Sequence, residues 1–123
     1  MANWISGRES HYLDAIIRGD KKYEGRLNKG KFAEYRVGDT VTLRRDIRDE
    51  SGKLCDGETE VTVLISQIIH FSSFKKMMHE LPYTEIIPDA LNESDAASRY
   101  DAFYSHEDQG KYGVVAIKVE VVI

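Results

Sequence analysis

The chain has 123 residues, of which 41% are hydrophobic and 31% charged, and a formal net charge of −4. That length suits one folded domain around a single core, no window approaches a membrane span, and one cysteine excludes an internal disulfide framework and any multi-cysteine zinc site. An acidic balance also argues against nonspecific duplex DNA binding, which needs many phosphate contacts.

The N-terminal Met1-Ala2-Asn3-Trp4 is not a basic segment followed by an apolar run, so the cytosol is the expected compartment. Ser6-Gly7-Arg8-Glu9 has the form of a capping box, in which serine and glutamate satisfy the first free amides of a helix. Trp4 and Ile5 would then staple the helix entry. Tyr12, Leu13, Ile16 and Ile17 recur at helical spacing, and Gly19 is a natural C-terminal cap. Residues 22–27 follow as an extended segment. Alternation would place Lys22, Glu24 and Arg26 on one face and Tyr23 and Leu27 on the other. A face reading plus, minus, plus is a poor core and a plausible anion site; a solvated edge strand is the plainer alternative.

Asn28-Lys29-Gly30-Lys31 reads as a turn. Gly38-Asp39 is a second, opening the alternating strand Thr40-Val41-Thr42-Leu43. Residues 49–58 are polar and turn-rich, a loop in which Cys55 has no nearby histidine and is read as passive. Residues 59–70 form the longest strand-like run, rich in Val, Ile and Thr. Ser72 or Ser73 caps a short helix carrying Phe74, Met77 and Met78, which Leu81-Pro82 ends. Asn92 or Ser94 caps another, with Ala97, Tyr100 and Phe103 or Tyr104 on one side. Residues 105–111 read as a hydrophilic loop and residues 113–123 as a closing β-branched strand. This order predicts a single α+β domain spanning residues 1–123, built on a small, mostly antiparallel β-barrel or curled sheet with helices at one side.

Charge is unevenly spread. Residues 18–36 hold seven basic side chains against three acidic ones, while residues 80–108 hold eight acidic side chains and the single basic Arg99. Such polarity suits a basic wall facing an anionic ligand, or two halves that attract each other.

Several of these stretches together resemble the ASCH domain family of the PUA-like superfamily. They are Gly19 followed by Lys21-Lys22-Tyr23-Glu24-Gly25-Arg26-Leu27, then Val37-Gly38-Asp39-Thr40-Val41, and Phe71-Ser72-Ser73-Phe74 with Met77 or Met78. Leu81-Pro82, Tyr100 with Phe103-Tyr104, and Gly113-Val114-Val115-Ala116-Ile117 complete the series in family order. The resemblance implies a PUA-like β-barrel with a cleft lined by the Lys-x-x-Glu-x-Arg strand, and a role in RNA metabolism. A bacterial branch of the family hydrolyses the acetyl amide of N4-acetylcytidine with a Lys-Thr pair and a later glutamate. Aligned by Gly19, Lys21 takes the lysine position but Lys22 stands where the threonine should be, and Glu85 and Asp89 are both candidates for the acid.

Three functions follow as expectations. The first is binding of RNA or a modified nucleoside or nucleotide: Lys21, Lys22 and Arg26 hold phosphate or carbonyl oxygens, Glu24 orients the cations, and Tyr23, Tyr100 or Tyr104 stack a base. The second is a hydrolase, either a ribonuclease or an N4-acetylcytidine amidohydrolase, with Lys21, Lys22 and Glu24 as the catalytic candidates. The third is a protein-interaction module. No spacing suggests a metal site or a glycine-rich phosphate loop, so no cofactor is expected, and neither a membrane nor duplex DNA is an expected partner. Whether chemistry occurs and the oligomeric state stay open.

Overall fold

The computed structural model describes residues 1–122, with the backbone alone at Asp56. In chain order the elements are β1 (Asn3–Glu9), α1 (Ser10–Arg18), β2 (Tyr23–Leu27), α2 (Lys31–Glu34), β3 (Thr40–Arg48), β4 (Leu54–Phe71), α3 (Phe74–Glu80), α4 (Glu93–Asp101), α5 (His106–Tyr112) and β5 (Val114–Val121). A single 3-10 turn, Tyr83–Glu85, precedes α4.

The strands form one sheet in the order β1-β3-β4-β5-β2. β1 runs parallel to β3, and the other three pairings are antiparallel. An α+β domain with a mostly antiparallel sheet is therefore as expected. The closed barrel is not: β1 and β2 are the two ends of the ladder, and among the described residues no backbone pairing joins them.

Alternation explains the centre of the sheet. In β3, Val41 and Leu43 are buried while Thr40 and Thr42 are half-buried, and Val41 and Leu43 face Val63 and Val61 of β4. With Leu13 and Ile16 of α1 and Val115, Ile117 and Val119 of β5 they form one core cluster. β5 is buried on both faces over its first half, as a β-branched central strand should be. Its other face, Val114 and Ala116, meets Tyr23 and Leu27 of β2 and a second cluster under the helices: Phe74, Met77, Met78, Ile86, Ala96 and Tyr100.

Other expectations needed correction. The segment read as a capping box is strand β1; Glu9 precedes α1 without a side-chain cap. Ser6 instead accepts hydrogen bonds from Arg8 and Lys31. Residues 49–58 are not one long loop, because β3 and β4 continue as a hairpin to Arg48 and from Leu54, with Asp49 capping the turn through Ser51 and Lys53. The polar residues after Ser105 form helix α5, capped by Ser105 itself. Gly19 ends α1 as expected, at φ 85°, where a side chain would be strained.

Asp39 fixes β1 in place. Its carboxylate accepts from the Ala2 amide at 2.9 Å, the Trp4 indole at 3.0 Å and the Arg36 amide at 3.0 Å. Trp4 is thereby laid on Tyr35, with ring centres 5.1 Å apart. Asp39→Ala should cost about 2 kcal/mol or more in denaturant unfolding, since hydrogen bonds to charged groups are the stronger ones. It should also raise amide exchange selectively along β1; uniform exchange would mean that the clamp is dispensable.

Candidate functional site

β1 and β2 lie at opposite ends of the ladder, yet their side chains meet. Glu24 of β2 is 2% exposed. Its Oε2 accepts from Arg8 Nε of β1 at 2.5 Å and from Arg26 Nη2 at 3.2 Å. Arg8 also donates to Ser6 Oγ and the Gly7 carbonyl, and Arg26 to the Gly25 carbonyl, so both guanidinium groups are fixed. Among the described residues nothing donates to Glu24 Oε1. Burial alone would raise the Glu24 carboxyl, but Arg8, Arg26 and Lys21 outweigh it and hold it below the usual range.

A cavity of about 270 Å³ opens above this pair of edges. Its floor is Arg8, Glu24, Arg26 and Lys21; Tyr12, Tyr100, Tyr104 and Ile87 wall it, and Phe103 and Leu54 stand at its margin. Arg99, Glu9, Asp46 and Gly7 complete the lining.

Lys21 is buried because the chain turns inward straight after the helix cap. Its amide bonds the Ala15 carbonyl, and its ammonium donates to the Ile86 carbonyl. Burial pushes the ammonium from the ordinary 10.5 down to about 7; Glu24 opposes that shift, and Arg26 and Arg8 reinforce it. An amine poised near neutrality can accept a proton as well as donate one. Tyr100 lies flat on Phe74, with ring centres 4.5 Å apart, and its hydroxyl accepts from the Gly25 amide. A Cβ at position 25 would come within 2.9 Å of the Tyr100 ring, so glycine is what lets the ring lie on β2. Burial raises the Tyr100 phenol, keeping it a neutral hydroxyl.

The structure thus brings Lys21, Glu24, Arg26, Tyr100 and Tyr104 around one cavity, and separates Lys22 and Tyr23 from it. Lys22 precedes the strand; its side chain is half exposed, 3.9 Å from Glu85, and lies by a different depression between α1 and β5. Glu24 consequently pairs with Arg8 and Arg26 and not with Lys22. Tyr23 is packed in the helix-side core. Of the two acids left open, neither Glu85 nor Asp89 lines the cavity, although Asp89 holds Arg99, which does, at 3.0 Å. The lining hydroxyls among the described residues are the phenols of Tyr12, Tyr100 and Tyr104; no Ser, Thr or Cys is present there.

Sequence reasoning missed Arg8, Tyr12, Arg99 and Phe103. Arg8 was hidden by the capping-box pattern and Tyr12 by the helical stripe. Arg99 carried a signal, as the single cation in an acidic stretch.

A small α+β domain with a charged, aromatic-walled cleft at the seam between its two sheet edges is the class that these features define. The chain belongs to the ASCH domain family, whose model matches residues 9–123, a family generally linked to RNA-related roles. It is similar to the crystal structure of hypothetical protein PH0355, with 31% identity and a TM-score of 0.80 over 98% of this chain and 99% of that one. It is also similar to the solution NMR structure of protein PF0455 from Pyrococcus furiosus, at 28% identity and a TM-score of 0.75, covering 98% and 97% of the two chains. Comparison with curated proteins gives no match. Among the described residues no helix is long and apolar enough to cross a membrane.

Two outcomes follow from the buried charges. Glu24→Gln leaves two arginines facing a neutral amide, and should cost about 3 kcal/mol or more in stability, the range for breaking a buried pair. A loss under 1 kcal/mol would show that Arg8 and Arg26 find other partners or water. Between about 7 and 10.5 the unfolded chain holds the Lys21 proton and the folded chain does not, so this residue makes stability rise with pH across that window. Unfolding free energy of the natural protein should therefore climb relative to Lys21→Met from neutral to alkaline pH; parallel curves would mean that Lys21 stays charged.

Proposed function

We propose that the chain binds RNA, or a modified nucleoside or nucleotide, by taking a nucleobase into this cleft, and that it serves in RNA metabolism. The observation that supports this most is the convergence of fixed donors, a free acceptor and aromatic rings in one cavity of about 270 Å³. A base presents in-plane carbonyl and N–H groups together with a π face. Lys21, Arg8 and Arg26 suit carbonyl or phosphate oxygens, and the unused Glu24 Oε1 suits a base N–H. The half-buried rings of Tyr12 and Tyr104 can stack a base. Tyr100, 8% exposed, is a wall and not a platform. The cavity is near the small end of ligand sites, which favours a single base over a duplex. With this reading go one PUA-like domain over residues 1–123 and a cytoplasmic location.

A specific observation favours hydrolysis as a second reading: a lysine with its pKa near 7, next to a phenol and two arginines. Without a serine, threonine or cysteine among the lining residues, water is the nucleophile. As the water oxygen bonds to an amide carbonyl carbon, its proton passes to neutral Lys21 and the new oxyanion is held by an arginine. The C–N bond then breaks and the proton goes on to the leaving nitrogen. A phosphodiester of RNA is the alternative substrate for the same groups.

Equilibrium binding of nucleoside 5′-monophosphates, N4-acetylcytidine and single-stranded RNA, with chromatography of the products, tests both readings. Saturable, salt-sensitive binding is expected. It should weaken about tenfold or more in Arg26→Ala, the loss of one hydrogen bond to a charged group. Binding that ignores both Arg26→Ala and Lys21→Met, or no binding at all, would overturn the nucleobase reading; turnover lost in Lys21→Met would establish the hydrolase.

A further inference from the structure

The margin of the cleft holds a side chain that neither the fold nor the cavity floor uses. Phe103 borders the cavity but leaves 83% of its surface exposed. Single exposed apolar residues are ordinary on protein surfaces, so exposure alone carries nothing; the position does. Phe103 sits in the turn after α4, where its amide and that of Tyr104 both bond the Tyr100 carbonyl at 3.0 Å. The Tyr100 ring is itself held by its stacking on Phe74 and by the hydrogen bond that its hydroxyl accepts from the Gly25 amide. The phenyl ring is thus presented on a fixed backbone, which lowers the ordering cost of any contact it makes.

The other margin comes from the β3–β4 hairpin. Leu54 borders the same cavity and is 44% exposed. Its register partner Arg48 donates to Glu9, another lining residue. An aromatic ring and an aliphatic side chain therefore border the opening, with Arg48 hydrogen-bonded to the lining residue Glu9, outside a cavity sized for one base. A free nucleoside filling that cavity would leave the outward face of Phe103 idle. A nucleotide within a chain has a neighbour that must lie outside, where a ring and a cation can receive its base and phosphate. A duplex offers no such unstacked neighbour.

We propose that the cleft takes its base from single-stranded RNA, and that Phe103 stacks the base of the adjoining nucleotide at the cleft opening. This rests on the nucleobase reading above. It commits to a polynucleotide source over a free nucleoside, and makes Phe103 a determinant of that choice.

The test compares affinities for nucleoside 5′-monophosphates, dinucleoside monophosphates, and a dinucleotide whose second position is abasic. The natural protein, Phe103→Ala and Phe103→Trp are each measured by calorimetry. The natural protein should bind the best dinucleotide roughly fivefold or more tighter than the matching mononucleotide, as one added stack provides. That ratio should fall toward one in Phe103→Ala, survive in Phe103→Trp, and be missing for the abasic ligand. Melting temperatures should agree among the variants, because the ring is exposed. Mononucleotide binding with no dinucleotide advantage, or an advantage that persists in Phe103→Ala, would overturn the stacking proposal and leave the nucleobase reading standing. No binding of any of these ligands would overturn both.

Discussion

A buried carboxylate shared by two arginines is the constraint on which the site depends. Taking Glu24 out of water is costly unless its charge is matched and hydrogen-bonded, and Arg8 and Arg26 provide both. The three residues come from the two strands that the hydrogen-bond ladder leaves at its ends. Side chains therefore close the seam that backbone pairing does not, and the floor of the cleft is a by-product of that closure. Because each guanidinium is also tied to nearby oxygens, the floor is held rigid, which lowers the ordering cost of any contact made there.

The same arrangement governs Lys21. Its amine lies in a buried region already supplied with two positive guanidinium groups, so holding a further proton is unfavourable there. Burial is the larger cause of the low Lys21 pKa; Arg26 and Arg8 add to it, and Glu24 works against it. Burial, reinforced by the two guanidinium groups, thus brings this lysine near neutrality, where an amine can either donate or accept a proton. The expected strongly basic wall is consequently milder in the folded protein, because Glu24 offsets its central cations.

How much of this was legible follows from which residues carried alternation. Val41, Leu43 and the β5 run announce their strands by apolar periodicity, and Gly19 announces the end of α1. β1 does not, since its inward positions are Ser6 and Arg8; a strand buried by hydrogen bonding and charge looks like polar sequence. The capping-box pattern at Ser6 and Glu9 then supplied a false alternative. α5 is almost wholly polar and reads as loop for the same reason. In the site, the Glu24 and Arg26 face was legible from alternation, whereas the choice between Lys21 and Lys22 was not. It depends on the inward turn after Gly19, which brings the first lysine to the Ile86 carbonyl and leaves the second half exposed beside Glu85. Arg8 reaches the cleft only through long-range folding, which spacing along the chain does not encode.

The most direct measurement is to follow backbone and side-chain NMR shifts of the labelled protein while a single-stranded oligoribonucleotide is added. Saturable shifts are expected to concentrate at Lys21, Glu24, Gly25, Arg26, Tyr12 and Phe103, with little change near Lys22 or Tyr23. Shifts centred on the Lys22 side of the sheet, or none at any concentration, would contradict binding in this cleft.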